Sequence, residues 1–260
     1  MKLISLNIWG GRIYEPFINF IKQYSEETDI FCFQEVFSYK EPIVSRETRL
    51  NILEKLQEIL PGHQVFFTLV QDNIDTEGEI EIPSKSGKAI FARQGLEFQS
   101  KGYKFLSNGF NTFKNDDFGT LGISFQYLET KNKERPLMVI NVHGQPFPGD
   151  KLDTPERLAQ SRKIKDFVKD FKGQKIICGD FNLMPETESV KILEENMKNL
   201  IKDFRITDTR GAISARKYLG EQPVQKFANY AFVSKDIKVI SFKVPKVEIS
   251  DHLPLILEFS

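Results

Sequence analysis

The chain has 260 residues, of which 40% are apolar, and 36 basic side chains balance 36 acidic ones. A neutral chain of this length can bury a large core, but it has no overall attraction for nucleic acid or membranes, although a local basic groove is compatible with neutrality. The two cysteines, Cys32 and Cys178, do not imply a disulfide scaffold, and we find no signal-peptide or membrane-spanning stretch. We therefore expect a cytoplasmic protein.

Short apolar runs predict the β-strands. In chain order these are Leu3–Ile8, Ile30–Phe33, Val65–Leu69, Ala89–Ala92, Leu121–Tyr127, Leu137–Val142, Lys175–Cys178, Tyr230–Val233, Ile237–Val244 and Leu255–Phe259. Apolar residues at helical spacing fall between them, at 17–24 and 52–60. A third helix follows Thr154, with Pro155 in its first turn and Gly173 closing it.

Strands and helices are mixed along the whole length, without a linker or a change of composition. This pattern predicts one α/β domain covering residues 1–260. Two polar segments, Asp72–Gly87 and Leu106–Phe118, are predicted as surface loops, the second with Phe110 and Phe113 exposed. Loops of this length are either functional or simply solvated.

A small set of polar side chains stands where the predicted strands end or begin. The set consists of Asn7, Glu35, His143, Asp180, Asn182, Asp251 and His252. In layered α/β folds, side chains at strand ends converge on one rim of the sheet, where ligand sites form. We therefore expect these residues to share one site.

Most members of this set also have a purely structural explanation. Asn7 could only form a turn, and Asp180 and Asn182 follow a glycine in a sequence typical of turns. Asp251 could be a helix cap or a surface acid. Glu35 is harder to explain in this way, because a carboxylate that ends a buried run needs a partner or a metal.

The histidines discriminate better between the structural and the functional interpretation. Only three occur, and His143 and His252 both stand at strand ends, whereas His63 follows a Pro-Gly pair and is predicted as an ordinary loop residue. Phosphate ester hydrolysis requires hard oxygen ligands for a divalent metal, a base for water and neutral donors for phosphoryl oxygens. The combination therefore favours this chemistry.

Five motifs occur in the order Leu6-Asn7, Gln34-Glu35, His143, Gly179-Asp180-Phe181-Asn182 and Ser250-Asp251-His252. Their order and spacing resemble those of the endonuclease/exonuclease/phosphatase superfamily, from residue 3 to residue 259. The resemblance implies an α/β four-layer sandwich, in which two mixed β-sheets pack face to face with helices outside. It also implies hydrolysis of a phosphoester, but it is not specific for one substrate, since the family contains nucleases, sphingomyelinases, inositol phosphatases and deadenylases.

The resemblance further implies a metal site. Glu35 resembles the main ligand of a catalytic Mg²⁺, for which Mn²⁺ could substitute, and Asn7 and Asp251 would lie near the ion, directly or through water. Oxygen ligands favour these ions over zinc, and no Cys or His cluster with zinc spacing competes.

The same resemblance implies the catalytic groups. Asp180 would orient or deprotonate the attacking water, while Asn182 and His143 would hold phosphoryl oxygens. His252 would either contact the phosphoryl group or accept the proton of the water.

Two positions distinguish this chain within the superfamily. Many members have Asp before the tyrosine of the strand at Tyr230, where it pairs with the final histidine, but this chain has Asn229. Asn can orient the ring of His252 without stabilising its charge, so we expect a less basic His252 than in Asp-bearing relatives. In addition, His143 stands where abasic-site endonucleases place Tyr, which makes that activity less expected.

The sequence says less about the substrate than about the reaction. The balanced charge of the chain disfavours tight binding to a long nucleic-acid duplex, which requires many Lys and Arg contacts to phosphates. Two local groups of basic residues are candidates for phosphate contacts, although each could also be a solvated face. The first consists of Lys85, Lys88 and Arg93, and the second of Arg210, Arg216 and Lys217. We rank a monomeric nuclease-type phosphodiesterase acting on DNA or RNA first, and a phosphomonoesterase or lipid phosphodiesterase second. A catalytically silent protein that binds phosphoesters is the third interpretation.

Overall fold

The structure, a computed structural model, describes residues 1–217 and 225–260. Its strands are β1 (Lys2–Asn7), β2 (Ile30–Ser38), β3 (Val44–Ser45), β4 (Thr48–Arg49), β5 (His63–Asp72), β6 (Ile74–Asp75), β7 (Gly78–Glu79), β8 (Lys85–Arg93), β9 (Ser100–Ser107), β10 (Ile123–Asn132), β11 (Arg135–His143), β12 (Gln174–Asp180), β13 (Met197–Asn199), β14 (Asn229–Ser234), β15 (Val239–Lys243) and β16 (Leu255–Phe259). Its α-helices are α1 (Tyr14–Tyr24), α2 (Ile52–Ile59), α3 (Pro155–Val168), α4 (Glu188–Glu194), α5 (Leu200–Asp203) and α6 (Ala212–Lys217), and two 3₁₀ turns lie at Trp9–Gly11 and Phe118–Thr120.

Two six-stranded mixed sheets form the centre of the molecule. The first has the order β15-β16-β1-β2-β8-β5, and the second has the order β13-β14-β12-β11-β10-β9. Helices α1 and α2 pack on the outer face of the first sheet, while α3, α4 and α5 pack on the second. The fold is therefore the α/β four-layer sandwich that the family resemblance implied.

The alternation of side chains along β2 explains why this strand is apolar throughout. Ile30 and Cys32 point into the core between the sheets, whereas Phe31 and Phe33 point into the core beneath α1 and α2. Successive side chains of a strand face opposite sides, so a strand that is covered on both faces needs apolar residues at every position.

Towards one rim, the layer between the sheets becomes polar. Gln34 donates from Nε2 to Asn141 Oδ1 at 2.6 Å, and Asn141 donates from Nδ2 to the Phe33 carbonyl at 3.0 Å. Because buried polar groups must be paired, these bonds join the two sheets in one relative position. They lie one residue from Glu35, at the rim where the predicted site residues lie.

Several sequence predictions need correction. The segment Asp72–Gly87 is not a simple loop, because it contains the short pair β6 and β7 and the first residues of β8. Phe113 is buried, packing against Phe118 at 4.9 Å between ring centroids, whereas Phe110 is exposed as expected. His63 opens β5 and contacts the Thr28 carbonyl at 2.8 Å from Nε2.

The helix after Thr154 begins as predicted but ends earlier. The Thr154 hydroxyl accepts a hydrogen bond from the Arg157 amide at 3.2 Å, and Pro155 occupies the first turn. The helix ends at Val168, five residues before Gly173. Among the described residues, no helix is long and apolar enough to cross a membrane.

Candidate active site

Glu35 does not follow β2, as the sequence suggested, but lies inside it at a β-bulge. The pairing of β2 with β8 shifts between Phe33 and Val36, and Glu35 has a φ of 54°. In regular alternation Glu35 would share the face of Phe31 and Phe33 and enter the apolar core beneath α1. A bulge re-aims a side chain, so this one turns the carboxylate out of that core to the rim.

Strand pairing in the second sheet aligns three of the predicted residues. His143 is paired with Asp180 across β11 and β12, and Asp180 is paired with Asn229 across β12 and β14. Asp180 follows Gly179, whose φ is 136° and where a Cβ atom would lie 2.1 Å from the Val142 carbonyl oxygen. Only glycine fits so close to the neighbouring strand, so this position fixes where Asp180 stands.

Asn7, the last residue of β1, joins the carboxylates of the two sheets. Its Nδ2 donates to Glu35 Oε1 at 2.8 Å and to Asp180 Oδ2 at 3.0 Å, while its Oδ1 accepts from the Trp9 amide at 3.0 Å. Its carbonyl accepts from the Ser250 hydroxyl at 2.8 Å. Asn7 therefore fixes the distance between Glu35 and Asp180 and ties β1 to the segment that carries Asp251.

Asp180 is buried and held in its ionised form. Burial raises its pKa, but His252, His143 and Arg210 and the hydrogen bond from Asn7 outweigh it, so the pKa lies below its usual value. Its second oxygen, Oδ1, accepts from the Asn182 amide at 2.9 Å. A carboxylate that accepts two hydrogen bonds among cationic or polarisable partners stays charged at neutral pH.

His143 is neutral at physiological pH. Burial lowers its pKa to about 4, and the charge of Asp180 only partly opposes this, while Lys88, His252 and Lys151 lower it further. Its Nε2 lies 3.8 Å from Glu35 Oε1 and 3.9 Å from Asp180 Oδ2. Because the ring is uncharged, these contacts are not salt bridges, and the ring is suited to donate one hydrogen bond without carrying charge.

His252 is oriented by Asn229. Asn229 donates from Nδ2 to the carbonyls of Thr209 and Leu253, at 3.3 and 3.1 Å, so its Oδ1 faces the ring and contacts His252 Nδ1 at 2.8 Å. Nδ1 must therefore carry a hydrogen. The other ring nitrogen, Nε2, lies 3.6 Å from Asp180 Oδ2.

Replacing Asn229 by Asp is expected to raise the pKa of His252. Burial now lowers that pKa below its usual value, although Asp251 and Asp180 oppose the shift. A carboxylate at Asn229 Oδ1 would stabilise the imidazolium, so the folded-state pKa rises and the ring is protonated at a higher pH. An NMR titration of the His252 Cε1 proton in metal-free Asn229→Asp protein checks this, and an unchanged midpoint would contradict it.

Asn182 and Asp251 complete the predicted set, and Arg210 joins them. Asn182 donates from Nδ2 to the Gly144 carbonyl at 3.2 Å, and its Oδ1 accepts from Arg210 Nη2 at 3.4 Å. Arg210 Nη1 lies 4.0 Å from Asp251 Oδ2. Asp251 Oδ1 lies 3.8 Å from His252 Nε2.

All these groups except Asn7 and Asn229 line one pocket of about 300 Å³. Its wall also includes residues that the sequence did not single out. These are chiefly Trp9, Phe118, Phe147 and Lys151. Lys151 gave no signal, because it stands in a Gly- and Pro-containing segment without periodicity, and only the fold turns that segment towards the strand ends.

In each of the two local basic groups that the sequence suggested, one residue lines the pocket. Lys88 and Arg210 line the pocket, whereas Lys85 is exposed and Arg93 lies 3.4 Å from Asp29. The pair formed by Arg216 and Glu248 lies at the surface, and the side chain of Lys217 is outside the described residues.

The donor set fits a hard divalent cation. Glu35, Asp180 and Asp251 present carboxylates to the pocket, and both site histidines have lowered pKa values. Within the described part of the chain, no three His, Cys, Asp or Glu side chains form a compact metal cluster. Mg²⁺ does not need such a cluster, since proteins bind it through one or two carboxylates and leave its other coordination positions to water and substrate.

Comparison with known proteins agrees with this geometry. Solved structures match the whole chain: a mannosyl-6-phosphatase from Bacteroides thetaiotaomicron (19% identity, TM-score 0.69, 99% of that chain) and a family protein from Leptotrichia buccalis (15%, 0.72, 99%). The human Nocturnin catalytic domain with bound sulfate also matches over the whole chain (20%, 0.64, 93%). At these identities the likeness concerns the fold.

No curated protein matches the chain significantly in sequence. A sequence profile described as the Endonuclease/Exonuclease/phosphatase family matches residues 4–252, which is nearly the whole chain. The members of this family are hydrolytic phosphoesterases. The chain belongs to the endonuclease/exonuclease/phosphatase family.

Proposed function

We propose that this chain is a Mg²⁺-dependent hydrolase of phosphoesters. The observation that carries the proposal is the convergence of Glu35, Asp180 and His252 at one rim. Asn7 holds the two carboxylates at 2.8 and 3.0 Å from one amide nitrogen, and the imidazole Nε2 lies 3.6 Å from Asp180. Carboxylates with neutral imidazoles at such distances supply what attack of water on a phosphoester requires.

Glu35 and Asp251 would hold the ion. Asn7 would fix the direction of the Glu35 carboxylate, since its amide oxygen is turned to the Trp9 amide and its nitrogen to Glu35. When bound, Mg²⁺ would supply positive charge for the phosphoryl oxygens and for the leaving oxygen.

Asp180 and His252 would act on the attacking water. Asp180 remains ionised, so it can orient the water through a hydrogen bond. His252 holds a hydrogen on Nδ1 through Asn229, which leaves Nε2 as an acceptor for the water's proton. The resulting imidazolium would lie between Asp180 and Asp251, at 3.6 and 3.8 Å, where the two carboxylates stabilise it.

His143 and Asn182 would donate to the phosphoryl oxygens. His143 is neutral and therefore donates a hydrogen bond without adding charge. Asn182 uses one amide hydrogen on the Gly144 carbonyl, and the second is available for an oxygen of the substrate. Fixed donors of this kind stabilise the charge that grows in the transition state.

A substrate panel tests the proposal. Single- and double-stranded DNA, abasic DNA, RNA, sphingomyelin, inositol phosphates and chromogenic mono- and diesters are each incubated with Mg²⁺, Mn²⁺ or EDTA. We expect hydrolysis in Mg²⁺ that EDTA stops. Hydrolysis that persists in EDTA would contradict metal dependence, and Mg²⁺ binding without turnover would favour the catalytically silent interpretation.

The preference for a nuclease-type phosphodiesterase, made from the sequence, stays a prediction. The panel separates it from a phosphomonoesterase or lipid phosphodiesterase, because each class releases a different product. Cleaved DNA or RNA would support the first ranking.

A further inference from the structure

Three buried cationic side chains line the pocket, and they are only weakly compensated by carboxylates. Lys88 and Lys151 are 2% and 7% exposed, and neither has a carboxylate within 4.0 Å in the described residues. Among the residues that the structure describes, the carboxylate oxygen closest to Arg210 is Asp251 Oδ2, at 4.0 Å. Burying a cation without a close counter-ion is unfavourable, so such groups usually serve a ligand.

Lys88 projects from β8 on one wall of the pocket. Its ammonium group donates to the Ser124 hydroxyl at 2.7 Å, and Ser124 is paired across β10 and β11 with His143. An ammonium group has three donors, and in the described residues only this one contact is made. Burial lowers the pKa of Lys88 to about 7.

Lys151 reaches the pocket from the loop between β11 and α3. Its φ is 60°, a backbone conformation that non-glycine residues adopt only when their surroundings impose it. Its carbonyl accepts from the Met184 amide at 2.9 Å, and its ammonium donates to the Pro146 carbonyl. Burial, with Arg210 nearby, lowers its pKa to about 7.

Arg157 holds the loop that carries Lys151. This fully buried guanidinium donates to the carbonyls of Leu152, Gln145, Pro146 and Pro148. Since it fastens the loop on both sides of Lys151, the position of the ammonium is built into the fold.

Arg210 completes the cationic set. Its side chain is 8% exposed, and its Nε is a buried donor without a partner in the described part of the chain. A buried unpaired donor is costly, which favours an acceptor that arrives with the ligand.

The rest of the pocket is small and partly aromatic. Phe118 and Phe147 stack at 6.1 Å between ring centroids and line it together with Trp9. Phe147 is 50% exposed, so it stands at the mouth of the pocket. A volume of about 300 Å³ is at the lower end for ligand sites, which leaves room for one phosphoryl group and a compact organic group.

We propose that Lys88, Lys151 and Arg210 form an anion clamp that selects the dianionic phosphate of a small phosphomonoester, whose organic group lies against the aromatic wall. This inference rests on the proposed hydrolase function. Among the described residues, the carboxylates of Glu35, Asp75, Asp180 and Asp251 line the same pocket and repel an anion, so a dianion gains most from three opposing cations. A diester carries one charge less and a second organic group, which a pocket of about 300 Å³ would leave outside.

Two chromogenic esters with the same leaving group test the clamp. p-Nitrophenyl phosphate is a monoester and bis(p-nitrophenyl) phosphate is a diester, and both are assayed with Mg²⁺ and with EDTA. The variants are Lys88→Met and Lys151→Met, with Lys85→Met as control, because Lys85 is exposed on the same strand as Lys88. Binding of inorganic phosphate is measured by calorimetry on the same proteins.

We expect the wild type to prefer the monoester in kcat/KM. Loss of one charged hydrogen bond should lower that value roughly ten- to a hundredfold in Lys88→Met and in Lys151→Met. In the same variants, kcat/KM for the diester should change less than about threefold, since the diester interacts only weakly with the clamp. Phosphate affinity should fall in the same two variants, and Lys85→Met should behave as wild type.

The outcomes separate the clamp from the hydrolase function. The clamp would be overturned if the wild type hydrolyses the diester with the higher kcat/KM, or if the lysine variants lose kcat/KM equally on both esters. If that hydrolysis is stopped by EDTA, the proposed hydrolase function remains supported. If neither ester is hydrolysed, the calorimetry decides. Phosphate binding by the wild type that is lost in Lys88→Met would support the clamp, whereas a wild type that does not bind phosphate would overturn it. Methionine removes the cost of burying the charge, so an unchanged or higher Tm is expected, whereas a structural lysine would lower it.

Discussion

Replacement of Glu35 by Gln is expected to lower kcat in Mg²⁺ by roughly 10³-fold, because it removes the charged ligand that we propose as the main metal-binding group. Gln keeps the size of the side chain and can still accept from Asn7 Nδ2, which lies 2.8 Å from Glu35 Oε1. The fold and the bulge should therefore remain. The apparent affinity for Mg²⁺, measured from the activation curve, should fall with the rate.

Glu41→Gln is the matched control. Glu41 is exposed shortly after β2 and contacts only Lys40, at 3.6 Å, among the ion pairs of the described residues. Its activity and its Mg²⁺ activation curve should equal those of the wild type. Wild-type turnover in a folded Glu35→Gln protein would refute the assignment of Glu35.

Replacement of Asp180 by Asn is expected to lower kcat by about 10²–10⁴-fold, the usual contribution of general acid–base catalysis, because Asp180 orients the water from which His252 accepts the proton. The neutral amide cannot orient the water as a charged acceptor. It would also remove the carboxylate 3.6 Å from His252 Nε2 that stabilises the imidazolium. Because the proposed contacts strengthen in the transition state, KM should change little.

The control for this variant is Asp166→Asn on the surface of α3, where Asp166 contacts Lys169 at 3.4 Å. Steady-state kinetics of both proteins provide the comparison. A rise in KM with an unchanged kcat would place Asp180 in ground-state binding and would contradict its role in orienting the attacking water.

The rim of the sheets could be predicted from the sequence, because each strand end is a point where an apolar run gives way to a polar residue. Apolar runs that stop at Asn7, His143 and Asp180 predict both the strands and the edge where they meet, and the pairing of His143 with Asp180 confirms that edge. The position of Asn229 before Tyr230 was equally readable. It faces His252 in the structure.

The bulge at Glu35 was not readable in the same way. Regular alternation places residue 35 on the face of Phe33, and nothing local signals the φ of 54° that turns it away. The cause lies in the pairing of β2 with β8, a contact between distant parts of the chain. Phe113 was misjudged for a similar reason, since it is buried in the core that includes α1 and α2, and its amide donates to Gln71 Oε1, 42 residues away along the chain.

The cations of the pocket show the same limit more clearly. Lys88 precedes an apolar run and resembled a solvated face, but its side chain points towards the second sheet, where the buried ammonium donates to Ser124 of β10. Lys151 is placed by Arg157, whose guanidinium holds the carbonyls of the loop. Long-range hydrogen bonds of this kind leave no periodic trace in the sequence.

Metal occupancy and turnover measured on the same samples test metal-dependent hydrolysis most directly. The wild type is dialysed against EDTA and then titrated with Mg²⁺, while calorimetry follows binding and a phosphoester assay follows hydrolysis. We expect no hydrolysis in EDTA and a recovery that rises in step with bound Mg²⁺. Full hydrolysis by the EDTA-treated protein, or saturation with Mg²⁺ without any recovery, would contradict a metal-dependent phosphoesterase.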